Sequence, residues 1–327
     1  GYRQKGHSSV SIGYEAARYA EGGLLVAIGR NAASGVGNHS ATGVVIGYEA
    51  AVRVASGSTA AFTAVGFRAG YQMSSSNTFF GYQSGYGSVS SAPYGSGRKN
   101  TGVGANTLYA LSTGGYNTAV GEDAGKAITT ANYNTFVGAW CGDAVTDEGY
   151  NTAMGFQAFS AGGASSHTVA IGYQAGKDIT NGDGNTIIGA GAGVNVDTGP
   201  RNILIGQAAG DTIENGEQNI IIGHGADVDS TAGSNRIGIG YNVVVGTDNT
   251  TVIGGAGQTK VTVSGSGVEL TSHPLAESTA SFDMFRFKNG IYGGSISNPQ
   301  NSYWTVLNSA LDFRVEARNV VIRNKSS

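Results

Sequence analysis

The chain is poor in the residues that most often staple or charge a small domain. Among 327 residues there is one cysteine, Cys141, so no internal disulfide framework exists and cysteine usage says nothing of the redox compartment. Only 4 prolines occur, and glycine does not fall on every third position, which excludes collagen. Charged residues make up 13%, with 19 Lys and Arg spread thinly against 22 Asp and Glu. A nucleic-acid binder needs a concentrated basic face, so no nucleic-acid partner is expected. No apolar run approaches the roughly 20 residues of a membrane helix, and no membrane insertion is expected. The first residues, Gly1-Tyr2-Arg3-Gln4-Lys5, contain no initiator Met and no signal-peptide apolar core, and read as the ordered part of a longer chain.

Glycine, by contrast, is abundant. The 55 glycines accompany 40% hydrophobic residues and a formal charge of -3, a balance that argues against disorder and for many tight turns at fixed positions.

Those turns recur. A Val-Gly or Ile-Gly step closes on Gly104, Gly121, Gly138, Gly155, Gly172, Gly189, Gly206, Gly223 and Gly240, always 17 residues apart. A looser version runs through Gly13, Gly29, Gly47, Gly66 and Gly81, and one further step ends at Gly254. Counted from this glycine, four before it stands Asn in seven of the nine strict repeats (Asn100, Asn117, Asn134, Asn151, Asn185, Asn202, Asn219). The position one before is always apolar. The position three after is usually small (Ala124, Cys141, Ala158), and seven after is mostly aliphatic (Leu111, Ile128, Val145). Seven before, Gly97, Gly114, Gly182 and Gly199 begin another glycine column.

Seventeen residues is too short for a helical repeat and suits one coil of a β-roll or β-helix. The block Asn-Thr-Ala-Val-Gly reads as a short strand ended by glycine, and the small and aliphatic columns read as a second strand. The fold class expected is all-β, a parallel β-solenoid of 17-residue repeats. Stacked coils would align the Asn column into a ladder. Within the first strand, the positions one and three before glycine share a face, read as inward. The position between them (Ala119, Phe136, Ala153, Ala170, Ile187, Leu204, Ile221) is apolar too. A strand apolar on both faces is usually covered on both, which implies a second copy of the chain and, for a fibre, a homotrimer.

Three regions follow: residues 1–98 as irregular solenoid repeats, 99–258 as regular ones, and 259–327 as a small β-rich C-terminal cap or tip. In the last, Phe285–Tyr292 reads as a hairpin around Asn289-Gly290, and Leu311, Phe313, Val315 and Ala317 alternate as in a half-buried strand. Ser84–Arg98, rich in Ser, Gly and Tyr, reads as a loop inserted between coils.

Ser9-Val10-Ser11-Ile12-Gly13-Tyr14 and Leu25-Val26-Ala27-Ile28-Gly29 resemble the head repeats of YadA-type trimeric autotransporter adhesins. Asn117-Thr118-Ala119-Val120-Gly121 and Asn151-Thr152-Ala153-Met154-Gly155-Phe156-Gln157-Ala158 resemble bacteriophage tail-fibre proteins more closely. The resemblance covers roughly residues 8–255. The adhesin likeness implies a trimer of parallel β-rolls. The phage likeness implies a fibre whose C-terminal chaperone cleaves itself away after trimerisation, and the end at Lys325-Ser326-Ser327 is consistent with such removal. The sequence shows no autotransporter anchor or coiled-coil stalk, which favours the phage reading.

Chemical constellations are sparse. A glycan hydrolase needs two carboxylates about 5–9.5 Å apart. The candidates Glu122/Asp123, Asp147/Glu148 and Asp227/Asp229 sit at turn positions, where solvated turn residues are the better reading. His7, His39, His167, His224 and His273 lie in no nucleophile motif. Cys141 occupies the small column and reads as a buried, inert thiol. Asn181-Gly182-Asp183-Gly184-Asn185 lacks the spacing of a calcium loop and reads as a turn. No catalytic, metal or cofactor site is expected, and no enzyme. Carbohydrate contact is the one binding signal. Trp140 stands in a column that elsewhere holds Asn106, Asp123, Gln157 and Gln174, and Tyr303 and Trp304 lie at the tip. One position after glycine, Tyr14, Tyr48, Phe67, Tyr82, Phe156, Tyr173 and Tyr241 form an aromatic column, read as packing between subunits.

The expected function is a structural and adhesive phage tail fibre, part of the virion. Its partners would be itself, a bacterial surface glycan or outer-membrane protein, and other tail or baseplate proteins. The alternatives are a bacterial trimeric adhesin head on the cell surface, a glycan-depolymerising tailspike, and a virion fibre without a receptor.

Overall fold

The structure is a computed structural model that describes residues 9–18, 24–35, 42–52, 61–72, 74, 76–87 and 96–255. The chain divides into two units, Gly1–Thr262 and Val263–Ser327, and every described residue belongs to the first. The expected cap at 259–327 therefore lies outside the described residues, together with Tyr303 and Trp304, the Phe285–Tyr292 hairpin and the strand from Leu311.

The described residues form a parallel β-solenoid. Short strands, from Val10–Ile12 to Thr251–Ile253, make one 15-stranded parallel sheet in which each strand pairs with the next coil's strand. The register never shifts in the regular array: Thr118 faces Thr135, Ala119 faces Phe136 and Val120 faces Val137. The irregular N-terminal repeats join the same sheet, with Phe80 of Thr78–Phe80 opposite Val103 of Thr101–Val103. Ser84–Gly87, expected in an inserted loop, instead belong to this coil. Gly85 and Gly87 donate to Thr107 O and Tyr109 O of the next coil, and Ser84 is buried in the small column.

The strand faces are the reverse of the expected ones. The middle position turns inward: Ala119, Phe136, Ala170, Ile187, Leu204 and Ile221 are fully buried. The positions on either side of it turn outward, and Val103, Met154, Ile188 and Ile239 are 37–48% exposed. The reason is the asparagine. Asn at four before glycine shares its face with the middle position by the two-residue period of a strand. Its amide bonds to other coils in a buried setting, and this fixes which face looks inward.

The second strand is also corrected. Its residues form turns, except at Asp227–Val228 and Val244–Val245, which pair as a separate two-stranded sheet. The positions two and four after glycine have positive φ, as at Asp123 (57°), Trp140 (54°), Gly125 (58°) and Phe159 (54°). Left-handed backbone at every second position prevents an extended strand there. The chain still bonds along the axis. Trp140 N donates to Glu122 O of the preceding coil (2.9 Å), and Gly142 N to Ala158 O of the following one (3.1 Å).

At the repeat glycine the backbones approach most closely. Gly138 has φ 140°, and a Cβ there would stand 2.3 Å from Gly155 O. No other residue fits both conditions.

The asparagine column is a ladder of buried amides. Asn117 Nδ2 donates to Asn100 Oδ1 (3.1 Å) and to Ala131 O (2.8 Å), while Asn134 N donates to Asn117 Oδ1 (3.0 Å). Thr168 interrupts the column yet still donates its N–H to Asn151 Oδ1 (3.0 Å). Arg236 closes it, donating N–H to Asn219 Oδ1 (3.0 Å) and its guanidinium to Asp229, Asp248 and Val245 O.

Interior volume is balanced coil by coil. Phe136 occupies the middle position of one coil with Gly142 beneath it, where a Cβ would lie 2.6 Å from the ring. In the next coil Ala153 leaves that space, Phe159 fills it, and the aliphatic column is reduced to Gly162. Such compensation keeps native packing density within a repeat of fixed backbone.

Replacing Asn134 by Leu would leave the buried Asn151 N and the part-buried Glu148 O without these partners. The expected cost is about 3 kcal/mol, whereas Asn134→Thr, which restores the arrangement at Thr168, costs about half of that. Urea unfolding of the two variants checks the order.

Candidate functional site

The turn side and the outward sheet face carry the side chains that meet solvent, and the repeat stacks them in columns. One column was not singled out from the sequence. Five before glycine stand Tyr116, Tyr133, Tyr150 and His167, each with φ between 59° and 64°. Their rings form a continuous stack, with centroids 4.9, 5.1 and 5.1 Å apart. Lys99, one coil earlier, places Nζ 4.8 Å from the Tyr116 ring centroid and donates to its hydroxyl at 3.2 Å. The recurring triplet Tyr-Asn-Thr at 116, 133 and 150 was the available signal.

The aromatic column one after glycine stacks as well. Tyr48, Phe67 and Tyr82 follow at 5.3 and 5.2 Å, and the Arg30 guanidinium lies 5.8 Å from both Tyr14 and Tyr48. Arg30 thus occupies a place in the stack otherwise held by a ring, through its planar charge over aromatic faces. A third stack, Tyr71, Tyr86 and Tyr109, lies five after glycine at 5.1 and 5.0 Å.

Trp140 is 36% exposed, and its ring meets Phe156 edge to face at 5.1 Å. It shares the coil with Cys141; Tyr303 and Trp304 lie outside the described residues. A bulky ring at positive φ costs about 1 kcal/mol or more, and the Phe156 contact offsets part of that.

The carboxylate pairs bind their own coils together. Asp123 accepts from Asn106 (2.9 Å) and from Lys126 (2.9 Å). Asp147 accepts from the Thr129 and Thr130 hydroxyls, which hold its carboxyl below the usual range. Asp229 pairs with Arg236, and Asp227 accepts from Thr212. Asp211 is pushed up, first by burial and then by its hydrogen bond to Asp227. Asp143 is pushed up by burial as well. Asp183 Oδ1 accepts from Ser166 N (2.6 Å), so the calcium-like string is a turn clasped to the preceding coil. Among the described residues no group of three or more His, Cys, Asp or Glu is placed to hold a metal ion. His167 and His224 stack on Tyr150 and Tyr241, while His7, His39 and His273 lie outside the described residues.

Cys141 is fully buried, and burial pushes its thiol up to about 12. Comparison of the chain with protein-family models, curated proteins and solved structures returns no match.

The folded thiol stays neutral where an unfolded one ionises. The unfolded chain therefore binds fewer protons from about pH 9 upward, and stability falls with rising pH until about 12. Cys141 should resist alkylation at pH 8 in the native protein and react fully in denaturant. A Cys141→Ala variant should lose the corresponding part of the alkaline destabilisation in melts between pH 9 and 11.

Proposed function

We propose that the chain is a structural and adhesive phage tail fibre, a homotrimer that presents a surface to a bacterial envelope glycan or outer-membrane protein. The observation that carries the self-association is the outward face of the main sheet. Its two columns run from Val10 and Ile12 to Thr251 and Ile253 and contain only Val, Ile, Thr, Phe and Met. A face of 15 strands, each about 4.8 Å from the next and about 10 Å wide, covers about 700 Å². That approaches the roughly 800 Å² per partner of a stable interface and exceeds the apolar patches usual on a monomer. A partner must offer an equally long, uncharged surface with the same repeat, and a second copy of the chain does.

The tail-fibre part of the reading rests on the Asn-Thr-Ala-x-Gly-x-x-Ala repeats and their resemblance to phage fibres. Trp140, beside Phe156, provides an exposed aromatic surface on which a sugar face packs. Three copies multiply individually weak contacts into avid attachment.

Light scattering should give about 99 kDa, three times the 33.1 kDa chain. Lysines on the outward face two coils apart, Val120→Lys with Met154→Lys, should reduce this to the single-chain mass with the β far-UV spectrum kept. A persistent trimer would place the interface elsewhere, and a wild-type monomer would remove the main support for the fibre. Binding of the labelled trimer to host cells, weakened by Trp140→Ala, tests the adhesive part. Shortening of capsule or lipopolysaccharide glycan by the wild type would favour the depolymerising tailspike.

A further inference from the structure

Two of the aromatic stacks contain three consecutive phenols. Tyr116, Tyr133 and Tyr150 lie 4.9 and 5.1 Å apart with rings 19° and 17° from parallel. Tyr71, Tyr86 and Tyr109 lie 5.1 and 5.0 Å apart at 8° and 6°. In the aromatic column one after glycine, each stacked Tyr meets Phe or His: Tyr48 and Tyr82 flank Phe67, Tyr173 covers Phe156, and Tyr241 covers His224. The first phenol stack is bounded by Lys99 at one end and His167 at the other. Its rings are 48%, 49% and 57% exposed, so a solvent-borne oxidant reaches them and the side chains retain room to tilt.

We infer that these two ladders are oxidative cross-linking sites, at which adjacent tyrosines couple into dityrosine and fasten one coil covalently to the next. Identical positions in consecutive coils set ring over ring, so the carbon ortho to one hydroxyl lies beside its counterpart. A peroxidase using hydrogen peroxide removes one electron and the phenolic proton from each of two tyrosines. The two radicals join through a new bond between ortho carbons, and the ortho hydrogens pass to the oxygens through solvent to restore both phenols. The pair loses two hydrogens in all, and one peroxide is reduced to two waters. Radicals held in contact combine faster than radicals that must diffuse together, so coupling stays within the ladder at dilute chain concentrations. The staples run along the solenoid axis, the direction in which coils otherwise peel apart. This inference is independent of the tail-fibre reading and holds for any setting that supplies peroxide.

The test treats the dilute full-length protein with a peroxidase and hydrogen peroxide and reads dityrosine fluorescence, peptide masses and a denaturing gel. Cleavage after Lys126 separates Tyr116 from Tyr133, so a joined peptide two hydrogens lighter than its parts identifies that bond. The expected result is coupling between tyrosines one coil apart, no joined chains on the gel, and a higher thermal midpoint after treatment. The double variant Tyr86→Phe with Tyr133→Phe keeps the stacking and removes every phenol pair of both ladders. It should lose nearly all the fluorescence, whereas Tyr173→Phe should lose none. Unchanged fluorescence in the double variant overturns the inference. So does wild-type coupling that joins separate chains or tyrosines in different columns. Absence of dityrosine under conditions that nitrate Tyr133 overturns it as well.

Discussion

Parallel hydrogen bonding between coils, in a register that does not slip, makes every side chain its own column's neighbour. The rest of the molecule answers to that constraint. A residue type is admitted to a column only if it packs on a copy of itself a strand spacing away. Glycine at the strand's end satisfies this by having nothing to collide with the carbonyl next in line. Asparagine satisfies it because its amide both donates and accepts, and so bonds to the coil on either side. Flat rings satisfy it because they stack. Charged residues satisfy it poorly, since like charges would be superposed. They are accordingly few, and some pair with an opposite charge one coil away, as where Arg68 pairs with Glu49 of the preceding coil.

The columns also differ in what they tolerate. Thr168 in the asparagine column keeps the backbone donation from below, but its hydroxyl reaches Gly182 O only at 3.5 Å. Asn185 then turns its amide to Gly182 O and Gly199 O (2.8 and 3.0 Å), and the ladder begins again. An interruption is therefore local, because each rung is satisfied by its nearest neighbours alone. The same locality lets N-terminal coils vary in length while remaining in the sheet. Strands separated by 15 to 23 residues still pair in parallel within the one sheet.

The period, the parallel solenoid and the asparagine ladder were legible because strict spacing forces equivalent residues into contact. The burial expected of Cys141 was legible for the same reason: it replaces alanine in a column that is buried throughout. The direction of the strand faces was not. Thr118-Ala119-Val120 is apolar enough on either side that alternation decides nothing, and the residue that decides, Asn117, looks at first like a turn residue. The turn side misled in another way. Small and aliphatic residues at regular intervals imitate a strand, while the positive φ at Asp123 and Gly125 that rules one out leaves no mark at Asp123. The tyrosine ladder was written in the sequence as Tyr-Asn-Thr, but its meaning depends on the left-handed backbone that aims those rings outward.

Termination tests the logic of the columns. A ladder that stopped without a closing donor would leave an asparagine with an unclaimed acceptor at its last rung. Arg236 takes that position and is 5% exposed, with its backbone N–H on Asn219 and its guanidinium spread over two carboxylates and a carbonyl. Arginine has donors only, so it accepts nothing from the coil beyond and the amide chain ends there. The change coincides with other losses of regularity: Gly238 replaces the inward aliphatic residue, Val245 fills its space, and Val244–Val245 pairs with Asp227–Val228. The last described coils therefore depart from the repeat in sequence while keeping the parallel hydrogen bonds of its main sheet.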